Sequence, residues 1–275
     1  MILCDIIMKT LTDQLGNQHI FQTSPKRIIS LVPSQTELLF DLGLEENIVG
    51  ITKFCVHPTH FKSTKKQVGG TKNPNYDKIK ALNPDIIVCN KEENTKEIID
   101  EYSKICTVWT TNIISIKDNF KMIIDFGEIF NCQTKSQNLN DKLILAFNDF
   151  KIFIDKKPIQ KTAYFIWKKP YMVVGSDNYI NEMLRLNKFQ NTFENNSFQS
   201  NRYPEINLEN LEKNSRLDLI FLSSEPYPFK QEDAVEIARF THNAKTIFVD
   251  GEMFSWHGSR LLKALDYFKL LHSRI

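Results

Sequence analysis

The stretch Arg27-Ile-Ile-Ser-Leu-Val-Pro-Ser-Gln-Thr-Glu-Leu-Leu-Phe-Asp-Leu-Gly-Leu44 constrains this chain more than any other. Ile28, Ile29, Leu31 and Val32 form a short apolar run rich in β-branched residues, the pattern of a strand covered on both faces. Pro33 stops it. Ser34 followed by Glu37 reads as a capping box, which gives orphan amides of a first helical turn side-chain partners. Leu38, Leu39 and Leu42 then recur at helical spacing, and Gly43 ends the helix. A strand that turns straight into a helix leaves backbone N–H groups facing the crevice above the strand. An ordinary βα unit without a ligand carries the same signature.

Runs of the same covered kind occupy residues 27–32, 85–89, 162–167, 218–222 and 246–249. Helical patterns lie between them, such as Ile116, Phe120, Ile123 and Ile124 behind the N-cap Ser115. This alternation predicts an α/β fold with mostly parallel central sheets. Residues 133–157 contain neither Gly nor Pro, and Leu139, Leu143, Ile144, Phe147, Phe150 and Ile154 recur at three- and four-residue steps. That predicts one long helix of roughly 22 residues, which at 1.5 Å per residue spans about 33 Å, a stiff connector. The expected organisation is an N-terminal α/β lobe (1–132), a bridging helix (133–157) and a C-terminal α/β lobe (158–275). Residues 75–88 and 207–221 share one plan, a short helix feeding a strand. Each has an acid in third place, Asp77 and Glu209, and an Asp at the strand start, Asp85 and Asp218. Two amphipathic segments can also match by chance.

Composition narrows the function. The 275 residues can bury a sizeable core, and 41% hydrophobic with 25% charged is ordinary for a globular chain. A formal net charge of +2, with no basic stripe, leaves no nucleic-acid signature. No run approaches the ~18 apolar residues of a membrane span. The first ten residues lack a basic segment and a small-residue cleavage site, and Asp5 breaks their apolar run, so they do not read as a signal peptide. Cys4 has too little apolar sequence before it for a lipoprotein anchor, and Met8 is a plausible alternative start. Read as complete, the chain is expected in the cytoplasm. Its five cysteines, an odd number without a CxxC, fit a reducing compartment. Cys89 and Cys106, at the ends of apolar runs, read as small buried hydrophobes. GxSxG, HExxH, GxxxxGK[ST] and GxGxxG motifs do not occur, so binding without catalysis is expected.

The opening motif, Val49-Gly-Ile-Thr52, Val68-Gly-Gly70, Ala81-Leu-Asn-Pro-Asp-Ile-Ile-Val88 and Asp250-Gly-Glu-Met-Phe-Ser-Trp-His-Gly-Ser-Arg260 occur in an order that resembles the helical-backbone substrate-binding proteins of ABC importers. These are receptors for cobalamin, haem and iron-siderophore complexes. Phe54-Cys-Val-His-Pro58 and the Trp-containing tail are most similar to the cobalamin-binding branch. The resemblance covers roughly residues 9–273. It implies two α/β lobes with a shallow cleft, little lobe closure, and a periplasmic or lipid-anchored location. It further implies a cobalamin or ferric chelate as a non-covalent ligand, an ABC permease as partner, and a monomer. In such receptors one acid on each lobe docks against permease arginines, and the matching positions here are Asp77 and Glu209. The missing export signature leaves an alternative, a cytoplasmic cofactor-handling protein or metal-dependent enzyme on the same scaffold.

Several residues are candidates for the cleft, each with a plainer reading. Phe54, Cys55 and His57 follow a strand. With His60, Cys55 and His57 offer soft metal ligands, although no fourth ligand is evident and Pro58 keeps the histidines off one helical face. Lining of the cleft without coordination, ahead of a plain loop, is the simpler reading. Trp256 offers a broad face to a planar macrocycle, with His257 beside it, and Arg260 could hold an anionic group. Core packing and an ion pair are the plainer roles. Trp167 and Tyr171 could form an opposite lip or a solvated turn. Tyr179 and Tyr203 are weaker candidates. Glu225 and Tyr227 sit in a proline-stiffened loop after a strand end, where α/β sheets meet ligands.

Overall fold

A computed structural model describes residues 8–194, 202–213 and 216–275. Cys4 and most of the N-terminal decapeptide lie outside the described residues. The fold is α/β, and it divides into two units. The first runs to Ile144 and takes in His257–Arg260; the second holds Leu145–Trp256 and Leu261–Ile275.

The first unit opens with an antiparallel hairpin, β1 (Lys9–Thr12) and β2 (Gln18–Phe21). Asp13 holds its turn, accepting from the backbone N–H groups of Leu15 and Asn17, both at 2.9 Å. Strands and helices then alternate: β3 (Ile28–Ser30), α1 (Pro33–Asp41), β4 (Ile48–Ile51), α2 (Phe61–Thr64), β5 (Lys66–Gln67), α3 (Tyr76–Ala81), β6 (Ile86–Asn90), α4 (Lys96–Tyr102), β7 (Thr107–Thr111) and α5 (Ile116–Ile129). The strands form one sheet in the order β5-β4-β3-β6-β7, with every pairing parallel. Strands β3 and β6 are buried along their whole length, as unbroken apolar runs require when helices cover both faces. Ile29, Ile87, Cys89 and Val108 from the sheet pack with Ile79, Ile98 and Tyr102 from α3 and α4.

Local signals set the ends of these helices. Ser115 caps α5 in a full capping box with Asp118. Gly43, at φ +75°, follows the end of α1 as expected. The start of α1 differs from expectation. Pro33 does not merely stop the strand; it occupies the first helical turn, where a missing N–H costs nothing. The N-cap moves back to Val32, which makes no side-chain cap bond. Ser34 and Glu37 therefore face buried partners instead of capping each other.

Helix α6 (Gln133–Ile154) is continuous over 22 residues and carries the chain from the first unit into the second. There follow β8 (Gln160–Trp167), β9 (Met172–Val173), α7 (Tyr179–Leu186), β10 (Phe189–Asn191), β11 (Leu219–Ser223), α8 (Gln231–Ala238), β12 (Lys245–Val249), α9 (Gly251–Ser255) and α10 (Leu261–His272). The sheet order β10-β8-β11-β12 is parallel, with β9 antiparallel on β8. Phe165, Ile220 and Leu222 lie in its core with Phe229, Ala234 and Ile237.

The two repeated segments share a concrete device. The Asp85 carboxylate accepts from the N–H groups of Lys26 and Arg27 (2.7 and 2.9 Å), while its own N–H donates to the Arg27 carbonyl (2.9 Å). Asp218 does the same to Lys161, at 2.7 and 2.8 Å. Each aspartate thus pins the start of its own strand to that of the neighbouring strand. Upstream, Asn75 caps α3 through the Lys78 N–H, and Asn207 accepts from Glu209 N–H. The second segment is shorter than expected: its helix is a single 3-10 turn, Leu208–Asn210.

Candidate ligand-binding surfaces

In open α/β sheets, ligands meet the loops at the carboxyl ends of the strands. In the first unit these loops carry Phe54, which is half exposed, with the Lys53 ammonium 5.0 Å from its ring centre. Cys55 behaves differently. It has no exposed surface, and its thiol lies 3.1 Å from Thr36 Oγ1 and 3.3 Å from Thr52 Oγ1. Burial pushes its pKa up, so it stays a neutral core thiol and does not line a surface. His57 is half-buried. His60 turns away to Glu45 at 2.7 Å and stands edge-on to Phe40 and Phe61. The expected trio of Cys55, His57 and His60 is not gathered. Among the described residues no three His, Cys, Asp or Glu side chains are placed to hold a metal ion.

The tail of the motif is buried rather than displayed. Arg260 Nε donates to Glu37 Oε2 at 2.8 Å, and both side chains are about 95% enclosed. Arg260 is therefore one half of a buried ion pair, not an anion-binding group at a surface. His257 lies 3.4 Å from Ser34 Oγ, and burial holds its pKa down to about 3, so it is neutral. Between them Gly258 takes φ +87° with its α-carbon close to Leu38; an added Cβ would sit 3.2 Å from Leu38 Cβ in a strained backbone. Asn119 grips the same glycine, accepting from its N–H (2.5 Å) and donating to its carbonyl (3.3 Å).

Sequence reasoning missed a polar girdle at this edge. Gln35 Nε2 and Asn90 Nδ2 both donate to Thr111 Oγ1, and Asn94 ties the Asn90 N–H to the Thr71 carbonyl. Beside it Glu93 is half-buried; burial raises its pKa against the opposing pull of Lys72. The one legible signal was the polar run Asn90-Lys-Glu-Glu-Asn94 directly after a covered strand.

In the second unit Trp256 is only 7% exposed, so most of its face is committed to the protein. Its indole N–H donates to Glu225 Oε1 at 3.0 Å, and Ser255 Oγ donates to the same oxygen at 2.9 Å. Burial raises the Glu225 pKa, and the nearby Glu252 and Asp250 carboxylates add to that. Trp167, 39% exposed, stands edge-on to Tyr227 with centroids 5.9 Å apart. Tyr171 is half-buried, edge-on to Phe165. Tyr179 is buried, which raises its pKa, so it is a core phenol. Tyr203 is half-buried in the stretch whose Arg202 carbonyl accepts from Gly175 N–H and Asn178 Nδ2. The pairs brought together are thus Trp256 with Glu225 and Trp167 with Tyr227. Asp77 and Glu209 are both exposed, in the first turn of capped segments.

Two parallel-sheet units joined through a long helix, each with a fringe of strand-end loops, form the architecture of a two-lobed binding protein. The chain belongs to the periplasmic binding protein family, whose model matches residues 28–244. It is 29% identical over 189 residues to the uncharacterized ABC transporter substrate-binding lipoprotein YvrC of Bacillus subtilis, covering 63% of this chain and 58% of that one. It is 24% identical over 216 residues to the vitamin B12-binding protein of Vibrio vulnificus, covering 74% of each. The fold matches a crystal structure of a possible iron-binding, periplasmic solute-binding protein from Staphylococcus epidermidis with TM-score 0.75 and 22% identity, over 91% of this chain and 100% of that one. No helix among the described residues is long and apolar enough to cross a membrane.

Proposed function

We propose that this chain is the substrate-binding component of an ABC importer and that it binds a metal chelate, either cobalamin or an iron-siderophore complex, without chemistry. The observation that carries this reading is the family match across residues 28–244, together with relatives named for vitamin B12 and for ABC transport. The exposed aromatics Phe54 in the first unit and Trp167 in the second are the kind of surface a conjugated chelate meets. Binding is non-covalent, driven by apolar contact with a few fixed polar groups. Asp77 and Glu209 act as the docking acids toward a permease, and their matched places in the two repeats support that assignment. Delivery to an importer requires the working site to lie outside the cytoplasmic membrane, as the names of the relatives indicate for them. Absorbance titration with hydroxocobalamin, haemin and ferric siderophores tests the reading. A saturable spectral shift with hydroxocobalamin or a ferric siderophore is expected; no saturable change with either, or a change with haemin alone, overturns it.

A further inference from the structure

Lys168 follows directly on Trp167 at the carboxyl end of β8. Its ammonium donates to Asp233 Oδ1 at 2.6 Å and to Glu236 Oε2 at 2.8 Å, both on α8, and lies 5.7 Å from the Tyr171 ring centre. The lysine side chain is 15% exposed and that of Asp233 5%, so their contact is shielded, unlike the solvated surface pairs that contribute little, whereas Glu236, 45% exposed, meets the ammonium from the solvent side. Asp233 is itself fixed, because its other oxygen accepts from the Lys230 N–H at 2.8 Å. Two carboxylates strengthen the hold on the lysine proton, and the lysine in turn lowers the pKa of Asp233, so the grip persists across neutral pH.

This ammonium ties the β8–β9 hairpin, which carries Trp167 and Tyr171, to α8. The loop leading into α8 carries Tyr227 and Phe229. Their rings interlock: Phe165 with Phe229 at 6.3 Å, Tyr227 with Phe229 at 4.8 Å, and Trp167 with Tyr227 at 5.9 Å and 69°. The row begins in the core and ends on Trp167. Of the three tryptophans, Trp109 is 1% exposed, Trp256 7% and Trp167 39%. The chain therefore leaves one of its three tryptophans partly in water at a strand end and sets a shielded ion pair on the residue next to it.

We propose that Lys168 is a positioning residue that, by gripping Asp233 and Glu236, holds Trp167 against Tyr227 as a preformed contact for the planar, conjugated part of the ligand. The proposal rests on the chelate-binding reading above. A ring fixed in advance loses less freedom on binding than one that must be ordered, and that difference appears in affinity.

Protein labelled with 5-fluorotryptophan gives three fluorine resonances, and Trp167→Phe assigns the one that disappears. In Lys168→Met the Trp167 resonance is expected to broaden and shift toward free tryptophan while Trp109 and Trp256 stay in place; Lys168→Arg restores it. An unmoved Trp167 signal, or equal movement of all three, overturns the clamp. In absorbance titrations with hydroxocobalamin and haemin, Lys168→Met and Trp167→Ala should each weaken the same probe by about tenfold. The double variant should be no weaker than Trp167→Ala alone, because the lysine acts through the ring; additive losses overturn the positioning role. If neither probe binds the unaltered protein, the ligand role of Trp167 falls, while the chelate reading still stands or falls on the ferric siderophores and the fluorine spectra alone decide the clamp.

Discussion

Arg260 and Glu37 stand 223 positions apart and meet at 2.8 Å with both side chains almost fully enclosed. Glu37 lies in α1 and Arg260 at the end of the returning tetrapeptide, so this contact closes the first unit. Removing one partner takes away a buried counter-charge. Arg260→Met is expected to cost about 3–5 kcal/mol, and Glu37→Leu combined with Arg260→Met distinctly less. Urea unfolding of the three proteins checks this. A double variant as damaged as the single one would show that the pair matters for packing and not for charge.

His257, in the same tetrapeptide, makes stability depend on acid. Its folded pKa of about 3 lies below the usual 6.5, because burial disfavours the charged ring. The unfolded chain therefore takes up the proton first. The contribution is whole above pH 6.5 and is lost as pH falls toward 3, with a slope of at most about 1.4 kcal/mol per pH unit. His257→Phe should flatten the curve of urea midpoint against pH between 7 and 4.

Glu225 has the opposite sign. Its folded pKa is raised above 4.5, so its stabilising contribution is full below that value and declines as pH rises through the folded pKa. Glu225→Gln keeps an oxygen for the Trp256 and Ser255 donors yet cannot ionise. It should match or exceed the unaltered protein in stability at pH 7, whereas Glu225→Ala should lose about 1–3 kcal/mol by orphaning the indole N–H. Thermal melts at pH 5 and pH 7 separate the three.

Asp85 and Asp218 perform one task in two units. Each replacement by Ala should cost about 1–3 kcal/mol, since a charged acceptor of backbone N–H groups is lost. Distant sites with no shared partner behave additively, so the double variant should show the sum in urea titrations. A much larger loss for either would mean that strand register, not a local bond, depends on it.

Asp77→Lys with Glu209→Lys tests docking. Each acid is exposed near a helix start, where a carboxylate is favoured by no more than about 1 kcal/mol. Folding and chelate affinity should survive reversal, while uptake through a matching permease is abolished in cells given an exported form. Uptake at the unaltered rate would reduce both acids to helix-start residues.

The elements were legible where the signal is local. Unbroken apolar runs marked β3, β6 and β11, because a strand covered on both faces has no polar side to display. Ser115 and Asp118 lie three positions apart and act on each other. Ser34 and Glu37 have the same spacing, yet their partners sit 223 positions downstream, and nothing nearby in the chain marks them. The same limit applies to the site. An aromatic after a strand end reads alike whether exposed or buried; Trp256 is enclosed and bonded to Glu225, 31 positions earlier. Cys55 and His60 are close in sequence but part because one turns to threonines and the other to Glu45.

The first unit also has a history imposed by the order of synthesis. Its sheet and helices are complete by Ile144, but His257–Arg260 emerge well over a hundred residues later. At about 5–20 residues per second, that delay is on the order of ten seconds. Throughout it, Asn119, Ser34 and Glu37 await the tetrapeptide they will hold. The last act in finishing the first unit therefore belongs to a stretch of chain made after most of the second unit.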